Sequence, residues 1–97
     1  MARRRYLVMY DIRDDGRLRR VHDVVQSHGD RLQYSVYVCD LSRSELIGLR
    51  WQLEDEINAL EDAVAILDLG EAGGRGTDAF DFLGVHPTLP SSGATVI

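Results

Sequence analysis

Residues 5–12 read RYLVMYDI. The stretch is β-branched and aromatic, and it is apolar on both parities. In a strand, Tyr6, Val8, Tyr10 and Ile12 face one way, while Leu7 and Met9 face the other, followed by Asp11. A strand apolar on both faces is covered on both faces. Asp14-Asp15-Gly16 then breaks the strand and supplies an N-cap carboxylate. Leu18, Val21, Val25 and His28 recur at helical spacing with Val24 beside them, which predicts a first helix. Gly29 stands where a left-handed C-cap belongs.

Further along, residues 31–40 read RLQYSVYVCD. Leu32, Tyr34, Val36 and Val38 alternate with Arg31, Gln33, Ser35, Tyr37 and Cys39, a strand period. These ten residues form either one bent strand or two short strands around Tyr34-Ser35. Ser42-Arg43-Ser44-Glu45 is a capping box. The stripe Leu46, Leu49, Leu53, Ile57 and Leu60 behind it predicts a second helix running to about Leu60, with Trp51 off the stripe. Residues 62–69 (DAVAILDL) form a further strand, again apolar on both parities. Residues 70–77 are a Gly-rich loop, read as a hinge. Its Gly73-Gly74-Arg75-Gly76 lacks the GK[S/T] ending of a phosphate loop. Residues 80–85 can add a short last strand. Residues 86–97 hold both prolines and read as a flexible tail after a single domain over 1–85.

The resulting order, β-α-β-β-α-β, is the ferredoxin-like α+β pattern. Two helices cover one face of an antiparallel sheet, and the other face would meet water. Because the first and last core strands are apolar on both parities, that second face calls for a second copy. The expectation is a homodimer packed sheet to sheet.

Composition sets bounds on what the chain can do. Ninety-seven residues make one domain with a modest core. No apolar run approaches the roughly 20 residues that span a bilayer. The basic Met1-Ala2-Arg3-Arg4-Arg5 is followed by too short an apolar run for a signal peptide. A cytoplasmic protein with no membrane association is therefore expected. The lone Cys39 excludes an internal disulfide framework and a cysteine-rich zinc site, and reads as a small buried hydrophobe. The net charge of −5 hides an asymmetry. Residues 1–50 carry ten arginines against seven acids, a balance of +3; residues 51–97 carry one arginine against nine acids, a balance of −8. Lysine is absent. Overall charge does not argue for nucleic acid, but arginines clustered in one half permit a local phosphate-binding stripe.

Among residues able to carry chemistry, Asp11 comes first. A carboxylate at the end of a rigid strand can ligate Mg²⁺, which is held by one or two carboxylates with water completing the shell. A two-fold axis near Asp11 would bring two together. The alternative is an aspartate capping the turn before the first helix. Arg17, Arg19, Arg20 and Arg31 can bind phosphate through their planar donor forks, or form a solvated face. Arg3, Arg4 and Arg5 extend that stripe or merely solubilise the terminus. Gln33, Ser35 and Tyr37 share a strand parity with Arg31; Ser35 and Gln33 satisfy backbone groups at a bend or line a dimer seam. His22 and His28 fit packed or helix-end roles, and His86 precedes Pro87 in the tail.

Tyr10-Asp11-Ile12, the Arg-rich first helix, and then Gly29, Arg31, Gln33, Ser35, Val36, Tyr37 and Leu41-Ser42 resemble the CRISPR-associated protein two family over residues 5–69. That family supplies the small subunit of the CRISPR spacer-acquisition complex. The resemblance implies a ferredoxin-like homodimer with Asp11 near its axis as a Mg²⁺ ligand. It further implies metal-dependent endoribonuclease or double-strand DNA nuclease activity, with duplex DNA or single-stranded RNA as the nucleic acid bound. It also implies a dimer that holds the prespacer duplex and bridges the CRISPR integrase. The chain departs from the pattern at Tyr37, where phenylalanine is common. It departs again at Ala65 and Asp68, where a basic residue and a tyrosine are frequent, and in a long acidic tail from Gly70. Competing readings are a toxin-type ribonuclease of similar fold and a non-catalytic ferredoxin-like regulator.

Overall fold

The structure, a computed structural model, describes residues 3–85 and 88–90. Strand β1 (Arg4–Asp11) leads through Asp14 into helix α1 (Asp15–Gln26). Strands β2 (Asp30–Gln33) and β3 (Val36–Leu41) follow, joined at Tyr34-Ser35, so the ten-residue stretch is two strands. Helix α2 (Arg43–Glu56), strand β4 (Ala63–Glu71) and a single turn, α3 (Arg75–Asp78), complete the chain order. The sheet is antiparallel throughout, in the order β2-β3-β1-β4. With two helices packed on one face, this is the ferredoxin-like α+β arrangement.

The two parities of β1 have separate fates. Tyr6, Val8 and Tyr10 are buried in one core with Val21 and Val25 of α1 and Leu49 and Leu53 of α2. Tyr37, on the same face, is opposite Val8 in the register. Leu7 and Met9 lie on the other face and are only half-buried. Side chains opposite one another in an antiparallel pair share a face. Two apolar rows therefore cross this second face: Leu67–Leu7–Val38 and Ala65–Met9–Val36. Leu67 is half exposed.

Both helix starts follow their sequence signals. Asp14 accepts from the Arg17 amide at 2.9 Å. Ser42 and Glu45 complete a reciprocal capping box, with the Ser42 amide donating to Glu45 Oε1 at 2.8 Å. Glu45 also accepts from Arg3 at 2.6 Å. The Ser42 amide, followed by Arg3, holds its carboxyl below the usual range. Cys39 is fully buried; burial, with Asp40 and Asp30 nearby, pushes its thiol up to about 12.

Several boundaries differ from expectation for identifiable reasons. The first helix ends at Ser27 in right-handed geometry, so Gly29 is not a left-handed cap. It is required by crowding: a Cβ there would collide with the Val38 carbonyl oxygen and with Cys39. Helix α2 stops at Glu56 rather than near Leu60, because Asn58 and Asp62 take the backbone into a turn. The Asn58 amide donates to Asp62 at 2.8 Å and the Leu60 amide to Asn58 Oδ1 at 2.9 Å, leaving Leu60 exposed. The Gly-rich stretch is packed at Ala72 and Gly76, with Gly73 exposed and open space around Gly74. Gly70 takes φ 95°, and Gly76 is buried where a Cβ would meet Glu71 O and Arg5 Cβ. Residues 80–85 form no strand; Phe80 and Phe82 stack with ring centroids 5.3 Å apart. Most of the tail over 86–97 lies outside the described residues.

The N-terminal arginines are not a loose terminus, and Arg5 is withdrawn from any phosphate stripe, while Arg3 and Arg4 stay half exposed. Arg3 pairs with Glu45 at 2.6 Å and Arg4 with Asp68 at 2.9 Å. Arg5, wholly buried on the Leu7 face, binds Asp40 through Nε at 2.8 Å and Nη2 at 2.9 Å. It also donates to Thr77 Oγ1 at 3.2 Å and the Pro90 carbonyl at 2.7 Å. The chain's own C-terminal region thus closes one end of the second face.

Candidate nucleic-acid interface

Asp11 closes β1 on the Leu7–Met9 face, paired in register with Ala63. It is exposed, and no described residue donates a hydrogen bond to its carboxylate. The capping role belongs to Asp14, so Asp11 is a strand-held carboxylate with unused lone pairs. The loop behind it is clamped. Asp62, its side chain wholly buried, accepts from Arg17 Nε at 2.8 Å, from the Arg13 amide at 2.9 Å and from the Asn58 amide. Arg17 also reaches Glu61 at 2.9 Å. Arg17's hydrogen bond, opposed by burial and aided by the two amides, holds the Asp62 carboxyl well below its ordinary range; the same contact raises Arg17.

The clamp separates the four candidate arginines. Arg17 is spent within the fold, joining α1 to the turn before β4. Arg20 pairs with Glu56 at 2.8 Å on a largely exposed site. Exposed pairs of this kind contribute little, so Arg20 can exchange partners. Arg19 is exposed and has no partner among the described residues. Arg31 lies over the Tyr34 ring, with its guanidinium carbon 5.4 Å from the centroid.

Tyr10 and Tyr37 stack at 6.4 Å between centroids, with both hydroxyls within 3.2 Å of His22 Nδ1. Burial, then Tyr37, pushes the Tyr10 hydroxyl up to about 12. Tyr37 is buried. Arg31 lies opposite Tyr37 and keeps its face but is exposed on the edge strand, whereas the bulge between Arg31 and Gln33 places Gln33 opposite Val36, on the other face. Ser35 contributes its carbonyl, which accepts from the Tyr10 amide at 3.1 Å. His28 is a helix-end residue, with Nδ1 2.8 Å from the Val24 carbonyl. A cavity of about 450 Å³ between α1 and the β2–β3 turn gathers Tyr10, Arg19, His22, Arg31, Tyr34 and Ser35. Sequence reasoning placed Tyr34 at the bend without a role. Its signal was an aromatic side chain at a tight turn beside an arginine.

Among the described residues, no group of three His, Cys, Asp or Glu could hold a metal, and no helix is long and apolar enough to cross a membrane. A small ferredoxin-like domain with a strand-end aspartate and an arginine-bearing first helix defines the class. The chain belongs to the CRISPR-associated protein Cas2 family, whose model matches residues 4–74. It is 42% identical over 67 residues to a CRISPR-associated endoribonuclease Cas2 of Geobacter sulfurreducens, covering 69% of this chain and 70% of that protein. It is 30% identical over 92 residues to a CRISPR-associated endoribonuclease, Cas2 3, of Synechocystis, covering 95% and 97%. The fold superposes with TM-score 0.76 and 34% identity on protein TT1823 of Thermus thermophilus, covering 89% of this chain and 96% of that one. For Cas2 of Streptococcus pyogenes the TM-score is 0.71 at 26% identity, covering 82% and 99%.

Proposed function

We propose that the chain acts in the cytoplasm as a homodimer in CRISPR spacer acquisition. The dimer binds duplex DNA, bridges the CRISPR integrase, and hydrolyses phosphodiester bonds with Mg²⁺ held at Asp11. The observation that carries this is the exposed Asp11 carboxylate, fixed by the central strand at the end of an apolar sheet face. A second copy packed across Leu67, Leu7, Ala65, Met9 and Val36 covers the accessible part of those rows, Val38 being buried already, and brings a second Asp11 to the same edge. One carboxylate per chain suits the donor set Mg²⁺ accepts, one or two carboxylates with water in the remaining positions. When bound, the ion supplies Lewis acidity and an activated water.

The chain's own residues do the rest. The Asp62–Arg17 clamp fixes the loop that follows Asp11. Arg19, Arg20 and Arg31 hold phosphates without reading sequence. Gln33 offers an exposed amide on the Val36 face, and Tyr10 and Tyr37 keep the strand ends rigid. The endoribonuclease names of the relatives support phosphodiester chemistry, while bridging requires none.

Asp11→Asn separates the two roles. The amide keeps the shape and removes the charge the cation needs. Metal-dependent cleavage by purified protein, with an EDTA control, should fall about a thousandfold or more, with the dimer unchanged in sedimentation. Cleavage at the parental rate would remove Asp11 from the chemistry. If neither protein cleaves, yet both support spacer acquisition with the integrase, hydrolysis falls and bridging stands.

A further inference from the structure

Helix α2 turns Leu49 and Leu53 to the core, with Leu46 and Ile57 beside them. At about 3.6 residues per turn, its opposite line carries Ile47 and Trp51, one turn apart. Both reach solvent: Trp51 is 73% exposed and Ile47 48%. One flank of this ridge holds Arg43, Arg50 and Glu54, which also border the groove between α2 and β4. The other flank holds Ser44, Gly48 and Asp55. Arg43, Arg50, Glu54 and Asp55 are exposed and have no partner among the described residues.

Three choices on this face work against an isolated helix. Arg43 opens α2 while Glu54 and Asp55 stand in its last turn, so both signs oppose the macrodipole. Gly48 lies in the helix interior, where glycine is unfavourable, yet a Cβ there would meet nothing within 4 Å. Ile47 and Trp51 leave apolar surface in water. A second helix lying close accounts for all three.

We propose that this face pairs with α2 of a second copy, antiparallel across a two-fold axis. In such a pair like flanks meet, and positions run in opposite order. On one flank Arg43 faces Glu54 of the other copy, and Ile47 packs on the aliphatic stem of its Arg50. On the other flank Trp51 lies over Gly48 of the other copy, and Ser44 faces its Asp55. Symmetry makes each contact twice and sets the two macrodipoles head to tail. The helices cover the sheet face opposite Leu7 and Met9, so this pairing stands apart from the sheet-to-sheet dimer and links such dimers into larger assemblies.

Trp51 is the only tryptophan, so its emission reports on this face alone. The test is a concentration series of the full chain, micromolar to millimolar, followed by sedimentation and fluorescence. The sedimentation coefficient should rise, Trp51 emission should shift to the blue, and its quenching by acrylamide should fall. Arg43→Glu should weaken association about tenfold or more, and adding Glu54→Arg should restore it. Both charge variants agree with the macrodipole, so they should fold at least as well as the parent. Trp51→Ala should weaken association about 30-fold or more in sedimentation. Gly48→Ala should also weaken it, yet melt higher than the parent at low concentration. Constant Trp51 emission and quenching across the series would refute the pairing, as would a double charge variant that associates no better than Arg43→Glu alone. Loss of the sheet-to-sheet dimer alone would leave the Trp51 changes in place.

Discussion

Replacing Arg5 with methionine should remove a large part of the domain's stability. The Arg5 side chain is wholly buried and Asp40 is 12% exposed, so neither has water as a substitute partner. Methionine fills much of the volume but strips Asp40 of two donors and leaves Thr77 Oγ1 and the Pro90 carbonyl short of one each. Removing one member of a buried ion pair costs about 3–5 kcal/mol. A domain of this size holds about 5–15 kcal/mol in total. At about 4–8 °C per kcal/mol, Tm should drop by roughly 12–40 °C. Arg5→Met combined with Asp40→Leu removes both charges and should recover most of the loss, because an apolar replacement of a whole buried pair is often neutral. Urea unfolding followed by circular dichroism, at several protein concentrations to separate dimer dissociation, measures the coupling energy of this cycle. A single variant within about 1 kcal/mol of the parent, or a double variant no better than the single, would refute the reasoning.

Two further outcomes follow from the same interior contacts. Because the Asp62 pKa is depressed in the folded state, its contribution is complete above the ordinary carboxylate range near ~4 and fades as pH falls below it. Asp62→Asn should be less stable at pH 7, and its gap from the parent should narrow in melts taken between about pH 4 and pH 2; a constant gap would contradict the clamp. Gly29→Ala should lose about 1–3 kcal/mol, since the added methyl meets the β3 backbone. An unchanged denaturation midpoint would show that β3 yields freely.

What could be read before the structure was local. Ser42 and Glu45 announce α2 three residues apart, and the alternation in β1 separates the core residues from Leu7 and Met9. The ion pairs could not be read. Arg5 and Asp40 lie 35 residues apart, and Arg17 and Asp62 lie 45 apart, with no periodicity linking them. For the same reason Arg3, Arg4 and Arg5 looked like a solvated terminus, and Arg17 looked equivalent to Arg19. The Gly29 reading failed because sequence shows that a Cβ is unwelcome, but not whether dihedral freedom or a neighbouring strand forbids it. Leu60 fits the helical stripe by spacing, yet Asn58 and Asp62 offer the backbone a competing turn. Asp11 and Arg31 stood out because residue type and position suffice to flag an exposed carboxylate and an arginine on a strand.

The central strand is also the first one made. During synthesis β1 leaves the ribosome well before β3, and it waits longer still for β4, its other neighbour. Until then the nascent RYLVMYD segment carries two unsatisfied edges and two apolar faces, a pattern that invites pairing with other chains. Its flanking Arg4 and Arg5 act as gatekeepers in this interval, their charges repelling like segments before Asp68 and Asp40 neutralise them. The remaining Arg5 contacts, to the Thr77 hydroxyl and the Pro90 carbonyl, form only after β4 has been made. Completion of the sheet therefore lags well behind synthesis of its central strand, and the folding yield in the cell depends on how long β1 is kept from strangers.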